Sequence, residues 1–191
     1  MSERSRRERS DPAPGEGALG EGAAGEGARG ELAALLAEEQ RLVFPRFDER
    51  VAWELGSALR SAADAASLPV AIAIRRGRQQ LFHTALPGAS ADNDGWLERK
   101  AAVVERYGHS SYYVGCLFRA GGGDFDTDSR LDTGAYAAHG GAFPLIVAGS
   151  GCIGSIAVSG LPQVDDHQFV VAHVARFLGL AGAEAREGGF Q

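Results

Sequence analysis

A chain of 191 residues, 45% hydrophobic and with a formal net charge of −6, has the length of one domain and enough apolar content for one core. Its carboxylates are dispersed and no basic face emerges, so nucleic acid is not an expected partner. Cys116 and Cys152 both sit in apolar surroundings, which predicts two buried thiols in a reducing compartment and no disulfide framework; without a charged-then-apolar leader, a cytoplasmic location is expected.

Residues 1–30 carry the repeat GEGAL-GEGAA-GEGAR from Gly15 and nothing that fills a core, so they are expected to be a disordered tail. Residues 31–180 are expected to be the folded domain, and 181–191 a flexible C-terminal tail. Leu32, Leu35, Leu36 and Leu42 form a first helical stripe. Asp48 predicts the N-cap of a second helix on which Val51, Leu55 and Leu59 recur every four residues. Val70, Ile72 and Ile74 then alternate with Ala71 and Ala73, a period of two that places branched side chains on one sheet face and small ones on the other. Gly77 turns the chain into a partner strand over Gln80–Ala85.

The next helix is expected to start with Asp92 or Asn93 as cap and to stop at Gly108. Trp96, Val103 and Tyr107 form its apolar face, with Glu98, Arg99, Lys100 and Glu105 largely elsewhere. Ser110 or Ser111 caps a further helical piece ending near Phe118, followed by an acidic, glycine-containing loop over 120–135 that is expected to be mobile. Ala142–Pro162 contains no Asp, Glu, Lys or Arg and is long enough to span a bilayer. Its repeated glycines and two β-branched runs instead predict a buried hairpin turning at Gly149-Ser150-Gly151, with no membrane partner. Asp165 and Gln168 have capping-box spacing for a last helix bearing Val170, Val174 and Leu178, closed at Gly179. Two hairpins among helices predict an α+β fold with an antiparallel sheet, with Val43-Phe44 available as a fifth edge strand.

The candidates for chemistry are dispersed. No two of His83, His109, His139, His167 and His173 have HxxxH spacing, so no local metal site is expected. His109 beside Ser110 reads as a capping corner or as an acid–base group next to a hydroxyl. His139 precedes Gly140 and Gly141, which bring backbone close to a ligand or a neighbouring segment. Arg75 at a strand end and Lys100 on the helix that crosses the sheet are candidate partners for a carboxylated ligand. Gly149-x-Gly151-x-x-Gly154 separates two strands and is not a dinucleotide fingerprint.

Several blocks in fixed order carry a family resemblance: Arg75-Arg76-Gly77, Leu81-Phe82-His83, Ala85-Leu86-Pro87-Gly88, Asn93-Asp94, Arg99-Lys100, Gly108-His109-Ser110-Ser111-Tyr112-Tyr113, Ala138-His139-Gly140-Gly141-Ala142-Phe143-Pro144 and Val158-Ser159-Gly160-Leu161-Pro162. Over Leu32–Leu180 the chain resembles the haem-degrading-domain family, which includes GlcG-like proteins and a haem-binding sensor component, and within it a branch of cytosolic bacterial and fungal proteins. The resemblance implies a profilin-like, three-layer α/β/α domain with a five-stranded antiparallel sheet, assembled as a homo-oligomer. It implies haem or iron as a ligand for some relatives, which makes haem the candidate cofactor, and no activity transfers to the narrower branch. Three readings stay open. One is a small-molecule-binding domain that holds haem or another planar or carboxylated ligand near the segments of His83, His109 and His139. Another is an enzyme of haem degradation or hydrolysis that uses His109 or His139. The third is a non-catalytic oligomeric scaffold.

Overall fold

A computed structural model describes residues 17–180, with side chains from Gly25 onward. In chain order the elements are α1 (Gly17–Arg41), β1 (Val43–Phe44), α2 (Glu49–Ala65), β2 (Ala71–Arg76), β3 (Gln79–Ala85), α3 (Ala91–Tyr107), α4 (Ser111–Ala120), α5 (Phe125–Asp128), β4 (Ala142–Val147), β5 (Gly151–Ser159) and α6 (Gln163–Phe177). The strands form a single five-stranded sheet in the order β1-β4-β5-β2-β3.

The uncharged stretch is the hairpin β4–β5, which occupies the middle of this sheet. Three of the strand pairings are antiparallel, but β1 pairs with β4 in parallel, Val43 opposite Ile146 and Phe44 opposite Val147. The sheet is therefore mixed, and the expectation of a wholly antiparallel sheet is corrected at this edge. Parallel pairing requires a crossover, and the long path through α2, two strands and α3 supplies it.

The alternation seen in the sequence sorts the two faces. Val70, Ile72, Ile74, Phe143, Leu145, Ile156 and Val158 point into the larger core cluster, shared with Leu55 and Leu59 of α2 and Phe169, Val170 and Val174 of α6. Ala71, Ala73, Ala142 and Ala157 face the other way, against Leu97 and Val104 of α3. Small side chains on that face let α3 lie close to the sheet. The result is three layers, α2 and α6 on one face and α3 on the other, with α4 beside α3 and α1 packed on α4.

Local punctuation follows the sequence at several points. Asp48 caps α2 by accepting from Val51 N at 2.9 Å, Ser110 caps α4 by accepting from Tyr113 N at 3.1 Å, and Gly108 ends α3 in the left-handed conformation with φ 73°. Elsewhere the boundaries differ. The cap of α3 is Ser90, whose N–H donates to Asn93 Oδ1 at 2.7 Å, so Asn93 is the third residue of the helix and not its cap. Helix α6 begins at Gln163, two residues before the expected capping box, with Pro162 at the cap. The loop over 120–135 contains α5, and Phe125 is buried among Val103, Val114 and Ala138. Cys116 is buried as expected but Cys152 is exposed, lying at the start of β5 next to the hairpin turn.

Helix α1 extends back to Gly17, so residues 17–30 of the expected tail are helical; residues 1–16 and 181–191 lie outside the described residues. Three carboxylates hold α1 to the domain. Glu31 accepts from Tyr112 Oη at 3.1 Å, Glu38 lies 3.1 Å from His167 Nε2, and the buried Glu39 lies 2.6 Å from His109 Nδ1 and accepts from Ser110 N at 2.7 Å. Burial and the neighbouring Cys116 and Glu31 push the Tyr112 hydroxyl up to about 12. Among the described residues no helix is long and apolar enough to cross a membrane.

Candidate functional site

Where β4 begins and β5 ends, beside the start of α6, the sheet leaves room for a direct link between its two helical layers. Lys100, on α3, reaches past the sheet to α6, and Nζ donates to Asp166 Oδ2 at 2.8 Å and to the Val158 carbonyl at 3.2 Å. Asp166 also accepts from Leu161 N at 3.0 Å. Both side chains are buried, at 4% and 1% exposure. The paired glycines make this possible. A Cβ on Gly141, whose φ is 124°, would meet the Val158 carbonyl and stand 2.7 Å from Lys100 Nζ, and one on Gly140 would strike the Gln163 carbonyl of α6. The sequence assigned Lys100 to the outer, charged side of α3; its burial is a correction, and the reason is a partner 66 residues away.

Burial pushes the Lys100 ammonium down and the Asp166 carboxyl up, and each shift is opposed by the other member of the pair. The proton between them is thus held less firmly by nitrogen than in water, and less readily given up by oxygen. This pair floors a cleft of about 300 Å³. Trp96 and His139 form its aromatic corner, their rings 5.2 Å apart and edge to face. Trp96 is fixed on one side by the Arg99 guanidinium, 3.9 Å over its ring, and by donation of its indole N–H to Asp92 at 3.1 Å. The segment leading to His139 is tied to α3 by the Ala137 N–H donating to the Arg99 carbonyl at 3.1 Å. Asn93, Ser159 and Gln163 supply uncharged polar groups around the opening, and Leu161 an apolar one.

The other predicted residues go elsewhere. Arg75 and His83 flank a second cleft of about 230 Å³ on the opposite side of α3, where His83 Nε2 is 2.7 Å from Asp94 and Arg75 is 3.4 Å from Glu98. His109 and Ser110 sit under α1. Ser110 is fully buried, its hydroxyl serving the α4 cap and its N–H held by Glu39. The structure therefore brings together Lys100, His139, Gly140 and Gly141 and separates them from Arg75 with His83 and from His109 with Ser110. Of the five histidines, four have a ring nitrogen engaged: His83 with Asp94, His109 with Glu39, His167 with Glu38 and His173 with the Phe169 carbonyl. Among the described residues His139 alone has neither nitrogen in a hydrogen bond, and it is half-buried at the mouth of the cleft. No group of three or more His, Cys, Asp or Glu side chains is placed to hold a metal ion among the described residues.

Sequence reasoning missed Asp166 and the role of Trp96. For Lys100 a signal was present: it is the only lysine in the chain, the remaining 18 of the 19 Lys and Arg residues being arginine.

Comparison with known proteins gives the family and the fold. Residues 47–175 match the model of the haem degrading protein HbpS-like family. A UPF0303 protein of Streptomyces coelicolor A3(2) is 57% identical over 148 residues, covering 78% of this chain and 94% of that protein. The crystal structure of the Ybr137w protein superposes with a TM-score of 0.72 at 32% identity, over 79% of this chain and 90% of the other. A haem complex of PduOC shares the fold, with a TM-score of 0.58 at 18% identity over 68% of this chain and 93% of that one. A family match spanning α2 to α6, joined by a relative more than half identical over nearly its whole length, shows that this chain belongs to the HbpS-like haem degrading protein family.

Proposed function

We propose that the chain is a small-molecule-binding domain that takes a flat, carboxylated ligand of the haem type at the Trp96–His139 cleft. The observation that carries this reading is the state of His139. A ligating imidazole needs a nitrogen not committed elsewhere; among the described residues His139 has both ring nitrogens free beside the Trp96 ring, whereas His83, which lines the other cleft, has Nε2 on Asp94 and no aromatic neighbour there. The haem complex of a PduOC protein that shares the fold supports the same ligand class.

Haem asks for an axial donor and an apolar face. His139 would be the donor and Trp96 would lie along the macrocycle, with the propionates directed out of the cleft, whose lining holds no arginine; Arg99 stacks on Trp96 outside that lining. When bound, the group would bring its own redox chemistry, while the chain's residues orient it and shield one edge. The remaining lining is polar, and a cleft of about 300 Å³ is at the small end of ligand pockets, which run from roughly 300 to 1,000 Å³. One protomer would therefore grip an edge, and closure of the open face by a second copy of the chain is part of the reading. The placement of Ser110, buried as a cap with no free hydroxyl face, supports binding over hydrolysis at His109.

Hemin titration tests this. The native chain should give a saturable, shifted Soret band. His139→Ala should abolish it, whereas His83→Ala and His109→Ala should retain it. A band unchanged in His139→Ala would refute the assignment.

A further inference from the structure

The chain places arginine at every cationic side-chain position but one, and the exception is the 3%-exposed Lys100 on the floor of the cleft. Lysine and arginine differ in chemistry as well as shape, because a buried amine can shed its proton and act as a nucleophile while a guanidinium stays charged. A buried ion pair is weak evidence of a stabilising role. Well-packed apolar side chains of similar volume commonly match or exceed a buried ion pair.

The immediate surroundings suit an amine that gives up its proton. Asp166 Oδ2, 2.8 Å from Nζ, can take it, and Leu161 N–H remains bonded to the other carboxyl oxygen. Burial favours the uncharged form of both groups. The cleft lining contains no arginine and includes the carboxylates of Asp92 and Asp166, which discourages an anionic occupant at the floor. Asn93, Ser159 and Gln163 can bond hydroxyl groups, and Trp96 offers a face to carbon-bound hydrogens.

We propose that the floor of this cleft takes a small, uncharged, hydroxylated aldehyde or ketone, whose carbonyl Lys100 captures as an imine. This rests on the cleft being a ligand site, as argued above, but not on haem being its ligand. The Nζ lone pair forms a C–N bond to the carbonyl carbon while the carbonyl oxygen takes a proton from Asp166. That oxygen then leaves as water, carrying the two hydrogens that Nζ gives up, with Asp166 relaying them. One water is released per imine, and nothing is oxidised or reduced.

The test uses the full, tag-free chain with glyceraldehyde and with glycolaldehyde in the presence of cyanoborohydride, followed by peptide mass mapping. The N-terminal amine is the only other primary amine and serves as an internal reference. Modification of Lys100 should saturate with probe concentration and outpace that of the N-terminal amine by about tenfold or more, since the bound carbonyl is held against the nucleophile. Asp166→Asn should slow labelling at Lys100 and leave the N-terminal rate unchanged; if that variant does not fold, the native map decides alone. Lys100 left unlabelled, or labelled without saturation and no faster than the N-terminus, overturns the proposal. Failure here with an intact hemin band would spare the haem reading, and saturable labelling without a hemin band would refute only the latter.

Discussion

Replacing Asp166 by Ala while keeping Lys100 isolates what the link between the helical layers contributes. The change removes the acceptor 2.8 Å from Nζ and leaves the Val158 carbonyl as the hydrogen-bond partner of a cation that is 4% exposed. Breaking one member of a buried ion pair costs about 3–5 kcal/mol, because the surviving charge is stranded. For a chain of this size that lowers the melting temperature by roughly 6–20 °C. Lys100 can escape the penalty by deprotonating, which costs less as pH rises, so the deficit should shrink between about pH 7 and pH 9. Chemical denaturation at the two pH values measures this, and the double variant Lys100→Met with Asp166→Leu should recover most of the loss. A deficit below about 1 kcal/mol, or one independent of pH, would refute the assignment of a buried ammonium to this position.

Two further outcomes follow from groups outside the cleft. Glu39→Ala removes the acceptor of the buried Ser110 N–H and the partner of His109, so it should cost about 1–3 kcal/mol and make α1 more susceptible to limited proteolysis; unchanged stability and cleavage would contradict the docking role given to Glu39. Burial lowers the His173 pKa below its usual value. The unfolded chain therefore binds a proton that the folded one resists once pH falls below about 6.5, and stability should drop with acidification through that window and be unaffected by this group above it. In urea unfolding at about pH 7.5 and 5.5, His173→Gln should show a smaller acid loss than the native chain; equal losses would refute this.

The sheet was legible in the sequence because its signals are local. The Val70-Ile72-Ile74 and Ala71-Ala73 alternation assigns both faces, and Asp48, Gly108 and Ser110 mark helix ends within a few residues of themselves. The parallel pairing of β1 was not legible, since a two-residue strand has no period and its partner lies about a hundred positions away. Lys100 looked like one charge among several on α3 because its meaning depends on Asp166 in α6 and on the missing side chain of Gly141. The later part of helix α1 was legible from its leucine stripe, but its extension back through residues 17–30 was not. The glycines and alternating glutamates of that segment offer nothing to a core, while the docking of the helix depends on Glu31, Glu38 and Glu39 meeting Tyr112, His167 and His109 in distant elements. The three candidate histidines are told apart by their partners: His83 and His109 face carboxylates, and His139 stands against Trp96 at a cleft with neither ring nitrogen bonded among the described residues.

The most direct test of the ligand site is the hemin titration of the native chain beside His139→Ala, read at the Soret band and checked by circular dichroism for retained folding. The native chain should give a saturable band that disappears in a folded His139→Ala variant. Equal bands in the two proteins, or none in either, would contradict that expectation.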